Sequence, residues 1–185
     1  MRVIAGKCRS MPLKTIPGRN TRPTTDRIKE TLFNIMQMDV PGSRFLDLFA
    51  GSGAIGIEAL SRGAEHCTFV DSSRQAVRII KENLKFTKLE ADADVYEMDA
   101  ASAVLSFNRD CAFNLVFLDP PYDNQLEKEL LTLLVKAPCI AENALFVVEA
   151  SKETDFSYAE DLGLACVKNK LYKTNKHVFF RKTYD

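Results

Sequence analysis

The stretch Phe45-Leu46-Asp47-Leu48-Phe49-Ala50-Gly51-Ser52-Gly53-Ala54-Ile55-Gly56-Ile57-Glu58-Ala59-Leu60 constrains the fold more than any other part of this 185-residue chain. Phe45 to Leu48 reads as a buried strand, followed by a glycine-rich turn and then a helix. Gly51, Gly53 and Gly56 have the Gly-x-Gly-x-x-Gly spacing. Glycine has no Cβ, so such a turn can take positive φ and let a ligand approach its backbone. The first amides of the helix have no partner within it and can bind polar groups. Asp71 lies twenty positions past Gly51, after a second apolar run, Cys67 to Val70. A carboxylate there can accept hydrogen bonds from a ribose. The glycines alone would fit any tight turn between strand and helix. With the flanking strands and Asp71 they point to a site for a nucleoside-type cofactor.

From Arg44 onward, strand and helix signals alternate. The candidate strands are Phe45–Leu48, Cys67–Val70, Asp94–Glu97, Leu115–Leu118 and Ala144–Glu149, with helical stretches around 53–62, 74–86, 100–107 and 126–136. Apolar strands in this alternation predict an α/β fold, a mostly parallel sheet with helices on both faces. Cys166–Tyr172 and Val178–Arg181 flank Lys173-Thr174-Asn175-Lys176 and read as an antiparallel hairpin. Ahead of the alternation, Ile28, Leu32, Ile35 and Met36 form one apolar helix stripe, which Thr24 or Thr25 can cap. Arg2–Ala5 and Met11–Ile16 suggest a small N-terminal hairpin, followed by a basic, proline-broken loop. Residues 1–25 therefore read as a basic extension and residues 26–185 as the main domain.

Bulk properties narrow the classes. The length suits a single domain able to bury its own core. No apolar run reaches transmembrane length and the N-terminus has no signal-peptide pattern, so a cytoplasmic protein is expected. Cys8, Cys67, Cys111, Cys139 and Cys166 are scattered without a Cys-x-x-Cys pair, so reduced thiols and no metal are expected. Net charge is zero but unevenly spread: residues 1–29 carry eight Lys/Arg against one acid and residues 168–185 six against one. The middle holds eleven bases and twenty-three acids, a net of −12. Basic ends on an acidic body attract phosphate backbones, although solvated surface segments have the same composition.

A second motif follows the strand Asn114 to Leu118: Asp119-Pro120-Pro121-Tyr122. The two prolines stiffen this loop and remove two amide donors. They hold an aspartate and a tyrosine at the carboxyl end of a parallel strand, where open α/β sheets bind ligands. An exocyclic base amine is a poor nucleophile because its lone pair is delocalised into the ring. The Asp119 carboxylate and the Pro120 carbonyl can accept its N–H bonds, localise the lone pair and help a proton leave. Tyr122 can stack on the base, worth roughly 1–3 kcal/mol. In the first motif, Asp47 stands just before the glycine turn. A carboxylate there would repel a pyrophosphate and favour a cation.

The segment Asp47 to Gly53 resembles the first signature of the class I S-adenosylmethionine-dependent methyltransferases, and Asp119–Tyr122 resembles the catalytic tetrad of those that act on nucleic-acid amines. Arg2-Val3-Ile4-Ala5-Gly6 and Thr21 to Ile35 resemble the RsmD family, bacterial 16S ribosomal RNA guanine-N2 methyltransferases. This likeness implies a seven-stranded Rossmann-like sheet with an N-terminal hairpin. It implies S-adenosylmethionine as cofactor, small-subunit ribosomal RNA as partner, a monomer, and the family's guanine-966 position as target. The implied cofactor site comprises Asp47, Phe49, Gly51, Ser52, Gly53, Asp71, Ser72, Asp99, Ala100 and Asp119. Asp99 would contact the adenine amino group, although a solvated helix cap is its other reading. The implied catalytic residues are Asp119, Pro120, Pro121 and Tyr122. The charge count assigns the RNA grip to Arg2, Lys7, Arg9, Arg19, Arg22 and Arg27, on a segment expected to be separable from the cofactor site. Cys8-Arg9-Ser10 departs from the Gly-Arg expected there. A DNA adenine-N6 methyltransferase and a non-catalytic RNA-binding assembly factor are the alternatives.

Overall fold

The structure is a computed structural model that describes residues 1–17, 26–121 and 126–183. Its centre is a seven-stranded sheet in the order β3-β2-β1-β4-β5-β7-β6. The strands are β1 (Arg44–Asp47), β2 (His66–Asp71), β3 (Ala93–Glu97), β4 (Phe113–Leu118), β5 (Ile140–Ser151), β6 (Leu164–Leu171) and β7 (Asn175–Lys182). β1 to β5 run parallel, while β7 is antiparallel to both β5 and β6. The helices are α1 (Asp26–Ile35), α2 (Ala54–Ser61), α3 (Arg74–Thr87), α4 (Ala100–Ser106) and α5 (Leu126–Leu134).

Two cores lie on opposite faces of the sheet, because successive strand side chains point opposite ways. Phe45, Phe117, Val147 and Phe179 pack with residues of α1, α2 and α3 on one face; Leu46, Val116, Phe146 and Phe180 pack with α4 and α5 on the other. The parallel strands read as continuous apolar runs because both of their faces are covered. After β3 the chain returns to the other side of β1 and enters β4, so strand order reverses between β1 and β4. The carboxyl ends of β1 and β4 thus diverge into separate loops at one crevice.

The N-terminal segment forms a minimal version of the expected hairpin. Its two arms meet in one antiparallel bridge, Arg2 with Pro12, and are joined by backbone hydrogen bonds from Val3 N–H to the Met11 carbonyl at 3.0 Å, from Ser10 N–H to the Val3 carbonyl at 2.9 Å and from Leu13 N–H to the Met1 carbonyl at 3.0 Å. Composition marks it as an extension, yet residues 1–16 fill part of the sheet's first face. Val3, Cys8 and Leu13 are buried in the core with α1 and α2, and Ile16 packs on Ala76 and Ile79 of α3. Gly6 permits this approach: with φ +82°, it passes so close to the last turn of α2 that a Cβ would sit 1.9 Å from the Ser61 carbonyl oxygen. Lys7 N–H donates to that oxygen at 2.8 Å, while the Ser61 hydroxyl accepts from Cys8 N–H and donates to the Ala5 carbonyl.

Helix α1 also differs in register from its sequence pattern. Its buried residues are Lys29, Leu32 and Phe33, followed by Met36, so the inward stripe begins at a lysine. Lys29 is enclosed because Glu58 of α2 is enclosed beside it, 3.2 Å away. Lys29 Nζ also donates to the Arg2 carbonyl at 2.6 Å. Glu58 accepts from Ile4 N–H, Ala5 N–H and Arg62 Nε. Burial pushes the Lys29 ammonium below its ordinary pKa, and Glu58 opposes that shift. This network joins the N-terminal segment, α1 and α2, and every charge in it has a partner, as burial requires.

Candidate active site

Strand registers assemble the site. Asp47 pairs with Phe69 on one side and Phe117 on the other, Leu118 pairs with Val148, and Glu149 pairs with His177. Asp119 therefore stands beside Glu149. With the period-two alternation of strands, Asp47, Asp71, Asp119, Glu149 and His177 all lie on the face of Phe45, Phe117 and Val147, at the carboxyl edge. Five strands thus deliver four acids and a histidine to one crevice wall.

The glycine turn has the predicted geometry. Gly51 and Gly53 have φ of +56° and +78°, in the left-handed region that only glycine enters without strain. A Cβ at Gly51 would meet nothing within 4 Å, so the backbone faces open space there. Asp71 holds the turn from the next strand. One of its oxygens accepts from Gly51 N–H at 2.9 Å and the other from Ser73 N–H at 2.8 Å. Each oxygen keeps a second lone pair, which suits a diol.

Asp47 lies lower than an exposed ligand contact would. It is 1% exposed, and its carboxyl accepts from Gly56 N–H at 3.2 Å in the first turn of α2. The amide that a pyrophosphate would need is already occupied by an acid. The turn consequently fits a ribose and a cationic group better than a phosphate. Desolvation, with a smaller contribution from Asp71, raises the Asp47 pKa to about 7, against the Gly56 hydrogen bond. Asp47 lies beneath the loop, out of reach of a direct ligand contact.

Asp119 is half-buried, and Pro120 beyond it is buried. Desolvation raises the Asp119 pKa well above the usual carboxylate range, with further contributions from the charges of Glu149 and then Asp47. A carboxyl so placed holds a proton more firmly than one in water, which suits a proton acceptor. Glu149 accepts from His177 Nε2 at 2.9 Å and from Asn175 Nδ2 at 2.7 Å, and Tyr172 lies 3.3 Å from His177 Nδ1. Burial, then Glu149, raises the Tyr172 pKa to about 12, so its hydroxyl stays protonated and donates to the imidazole. Sequence reading missed Glu149 and His177. Their signal is a carboxylate ending an apolar strand and a histidine opening another.

The remaining predicted cofactor residues lie on the segments that follow the carboxyl ends of β1, β2 and β3. Asp99 is exposed and caps α4, accepting from Ser102 N–H at 2.9 Å; hydrogen bonds with Ser102 lower its pKa. Ala100 is buried at the start of that helix, Phe49 and Ser52 are half-buried, and Ser72 is exposed. Tyr122, Arg19, Arg22, Thr24 and Thr25 lie outside the described residues. Arg2 is paired with Asp26 at 2.9 Å and Lys7 with Asp92 at 3.4 Å, while Arg9 and Arg27 are exposed. Asn83 of α3 links the N-terminal segment to the glycine turn. Its Nδ2 donates to the Ser52 carbonyl in the glycine turn and to the Lys14 carbonyl, and its Oδ1 accepts from Lys14 N–H. One buried amide thus ties that segment to the cofactor turn. Among the described residues no group of three His, Cys, Asp or Glu side chains could hold a metal, and no helix is long and apolar enough to cross a membrane.

A glycine turn at β1, an acid at the end of β2 and an aspartate-proline loop at the neighbouring end of β4, on a sheet closed by an antiparallel β7, define a class I methyltransferase. The family described as Conserved hypothetical protein 95 matches residues 1–181. The chain belongs to that family, the RsmD family. It is 46% identical over 156 residues to the Bacillus subtilis protein described as "Putative rRNA methyltransferase YlbH", covering 84% of this chain and 85% of that one. It is 37% identical over 153 residues to the Escherichia coli "Ribosomal RNA small subunit methyltransferase D", covering 83% and 76%. Among solved structures, "Putative methyltransferase yhhF from Escherichia coli" superposes with a TM-score of 0.86 at 32% identity, over 100% of this chain and 99% of that one.

Proposed function

We propose that this protein transfers a methyl group from S-adenosylmethionine to the exocyclic N2 amine of a guanine in small-subunit (16S) ribosomal RNA, at the family's guanine-966 position. The observation that carries this reading is the placement of Asp119 and Pro120 at the carboxyl edge of β4, next to the β1 glycine turn, where strand order reverses. The names of the relatives support the RNA substrate.

In this reading Asp71 accepts from the ribose hydroxyls, the glycine turn passes close to the nucleoside, and the Asp47 charge favours the cationic end of the cofactor. Asp99 and Ala100, with Phe49, Ser52 and Ser72, complete the rim. S-adenosylmethionine supplies an electrophilic methyl group on a sulfonium. Asp119 and the Pro120 carbonyl accept the two N–H bonds of the target amine and aim its lone pair at that methyl. As the N–C bond forms, the S–CH3 bond breaks with its electron pair left on sulfur, and Asp119 accepts the departing proton. Pro121 stiffens the loop and Tyr122 stacks on the base.

The test incubates the protein with methyl-labelled S-adenosylmethionine and small-subunit RNA, followed by nucleoside mass analysis. Labelled N2-methylguanosine is expected. Asp119→Ala should abolish single turnover while cofactor affinity is kept. Label on adenine in DNA, or cofactor binding without RNA methylation, would overturn the proposal.

A further inference from the structure

We propose that strand β6 and the β6–β7 turn form the surface that grips the RNA backbone beside the target base, with Lys168, Lys170 and Lys173 contacting successive phosphates. The inference rests on the RNA substrate proposed above, and two observations on the molecule carry it.

The first is how the basic ends are neutralised. On the N-terminal segment, Arg2, Lys7 and Lys14 each have a carboxylate within 4 Å: Asp26, Asp92 and Glu82, at 2.9, 3.4 and 2.8 Å. Of the six residues that the charge count assigns to RNA, Arg2 and Lys7 are thus paired, while Arg9 and Arg27 are exposed. Lys168, Lys170 and Lys173 have no ion-pair partner among the described residues, and Lys168 and Lys173 are exposed. Phosphates reaching the β6 lysines displace only water and counterions, and counterion release is the main source of RNA affinity.

The second is where these lysines stand. Lys168 pairs with Phe179 and Lys170 with His177. His177 pairs with Glu149, which lies beside Asp119. Paired residues share a face, so Lys168 and Lys170 project from the same sheet face as Asp119, and the turn bearing Lys173 lies at the same edge. Three strand spacings separate β6 from β4, about 14 Å. That distance spans about four stacked nucleotides at 3.4 Å each. A strand whose guanine reaches Asp119 would therefore lay its flanking phosphates across β7 onto β6. Lysines on an edge strand also discourage sheet-to-sheet pairing, but that role does not require them to face the active site.

The experiment compares the full-length chain with the triple variant Lys168→Gln, Lys170→Gln, Lys173→Gln, and with the corresponding Lys→Arg triple. Affinity for a small-subunit ribosomal RNA fragment is measured across a salt series, with S-adenosylmethionine calorimetry confirming that each variant is folded. The glutamine triple is expected to bind RNA roughly tenfold or more weakly at low salt. Its log–log salt slope should be smaller in magnitude by about 0.7 per lost contact, roughly 2 in all. The arginine triple should keep the wild-type slope, and Arg2→Gln with Lys7→Gln should change it less than the glutamine triple does. A glutamine triple with wild-type affinity and slope overturns the surface while leaving the methyl-transfer reading intact. A wild-type protein with no RNA affinity at any salt overturns that reading, and the surface with it.

Discussion

Asp47→Asn should make the ligand-free protein more stable at neutral and alkaline pH. The wild-type carboxyl is buried, with a pKa of about 7 against an ordinary 3.8. Below about pH 4 it is protonated in both folded and unfolded states and costs nothing. Between pH 4 and 7 the unfolded chain releases the proton and the folded chain keeps it, so folding weakens as pH rises. Above pH 7 the folded carboxyl is also ionised and the full penalty applies. A difference of about three units at 1.36 kcal/mol each is on the order of 4 kcal/mol.

Asparagine removes that penalty and keeps an oxygen for the Gly56 amide. Its NH2 faces the fields of Asp71 and Asp119, which favour a donor. Thermal unfolding from pH 3.5 to 8.5 is the assay. For a chain of this length, 4 kcal/mol corresponds to about 8–16 °C. The variant should gain up to that amount at pH 8 and almost nothing at pH 3.5. A difference in melting temperature that stays flat across this range would refute the reasoning. The variant should also bind S-adenosylmethionine more weakly, because the strained charge is what a cation relieves.

Asp71→Asn leaves one carbonyl oxygen for two amides, Gly51 and Ser73. Losing one bond to a charged acceptor costs about 1.5–3 kcal/mol, or roughly 10- to 150-fold in cofactor affinity by calorimetry; unchanged affinity in a folded variant would defeat it. Lys29→Met leaves Glu58 with Arg62 and two amides, so about 3 kcal/mol of stability should be lost, at the low end for a broken buried pair. Chemical denaturation giving a loss under 0.5 kcal/mol would show that the pair is not holding the N-terminal segment. The single-turnover rate should fall on the acid side at a pH well above the ordinary carboxylate range, because the Asp119 pKa is raised. Glu149→Gln removes the second-largest cause of that rise and should move the acid limb to lower pH; an unmoved limb counts against coupling of the two carboxyls.

What the sequence made legible follows from which interactions are local. The strand, glycine turn and helix at 45–60, and the alternation after it, are short-range patterns, and the observed elements fall within a few residues of the expected ones. The glycines and Asp71 were legible because backbone geometry demands particular residue types at fixed spacing. Lys29 was not: a lysine at a stripe boundary looks solvated until Glu58, twenty-nine residues away, is known to be enclosed against it. Asn83 likewise reads as one polar residue of α3, because its partners Ser52 and Lys14 meet it only after folding.

The basic ends are the sharper lesson, because composition counts charges but not their partners. Arg2, Lys7 and Lys14 dock against Asp26, Asp92 and Glu82, so part of their positive charge is met within the chain by exposed, weakly stabilising pairs. Lys168 and Lys170 sit on an edge strand that two neighbours separate from β4, Lys173 follows in the turn, and the three have no ion-pair partner among the described residues. Whether a basic segment grips RNA depends on which charges the fold leaves unpaired and which face of the sheet they share with the chemistry. Both properties come from register across β4, β5, β7 and β6, which no local stretch of sequence encodes.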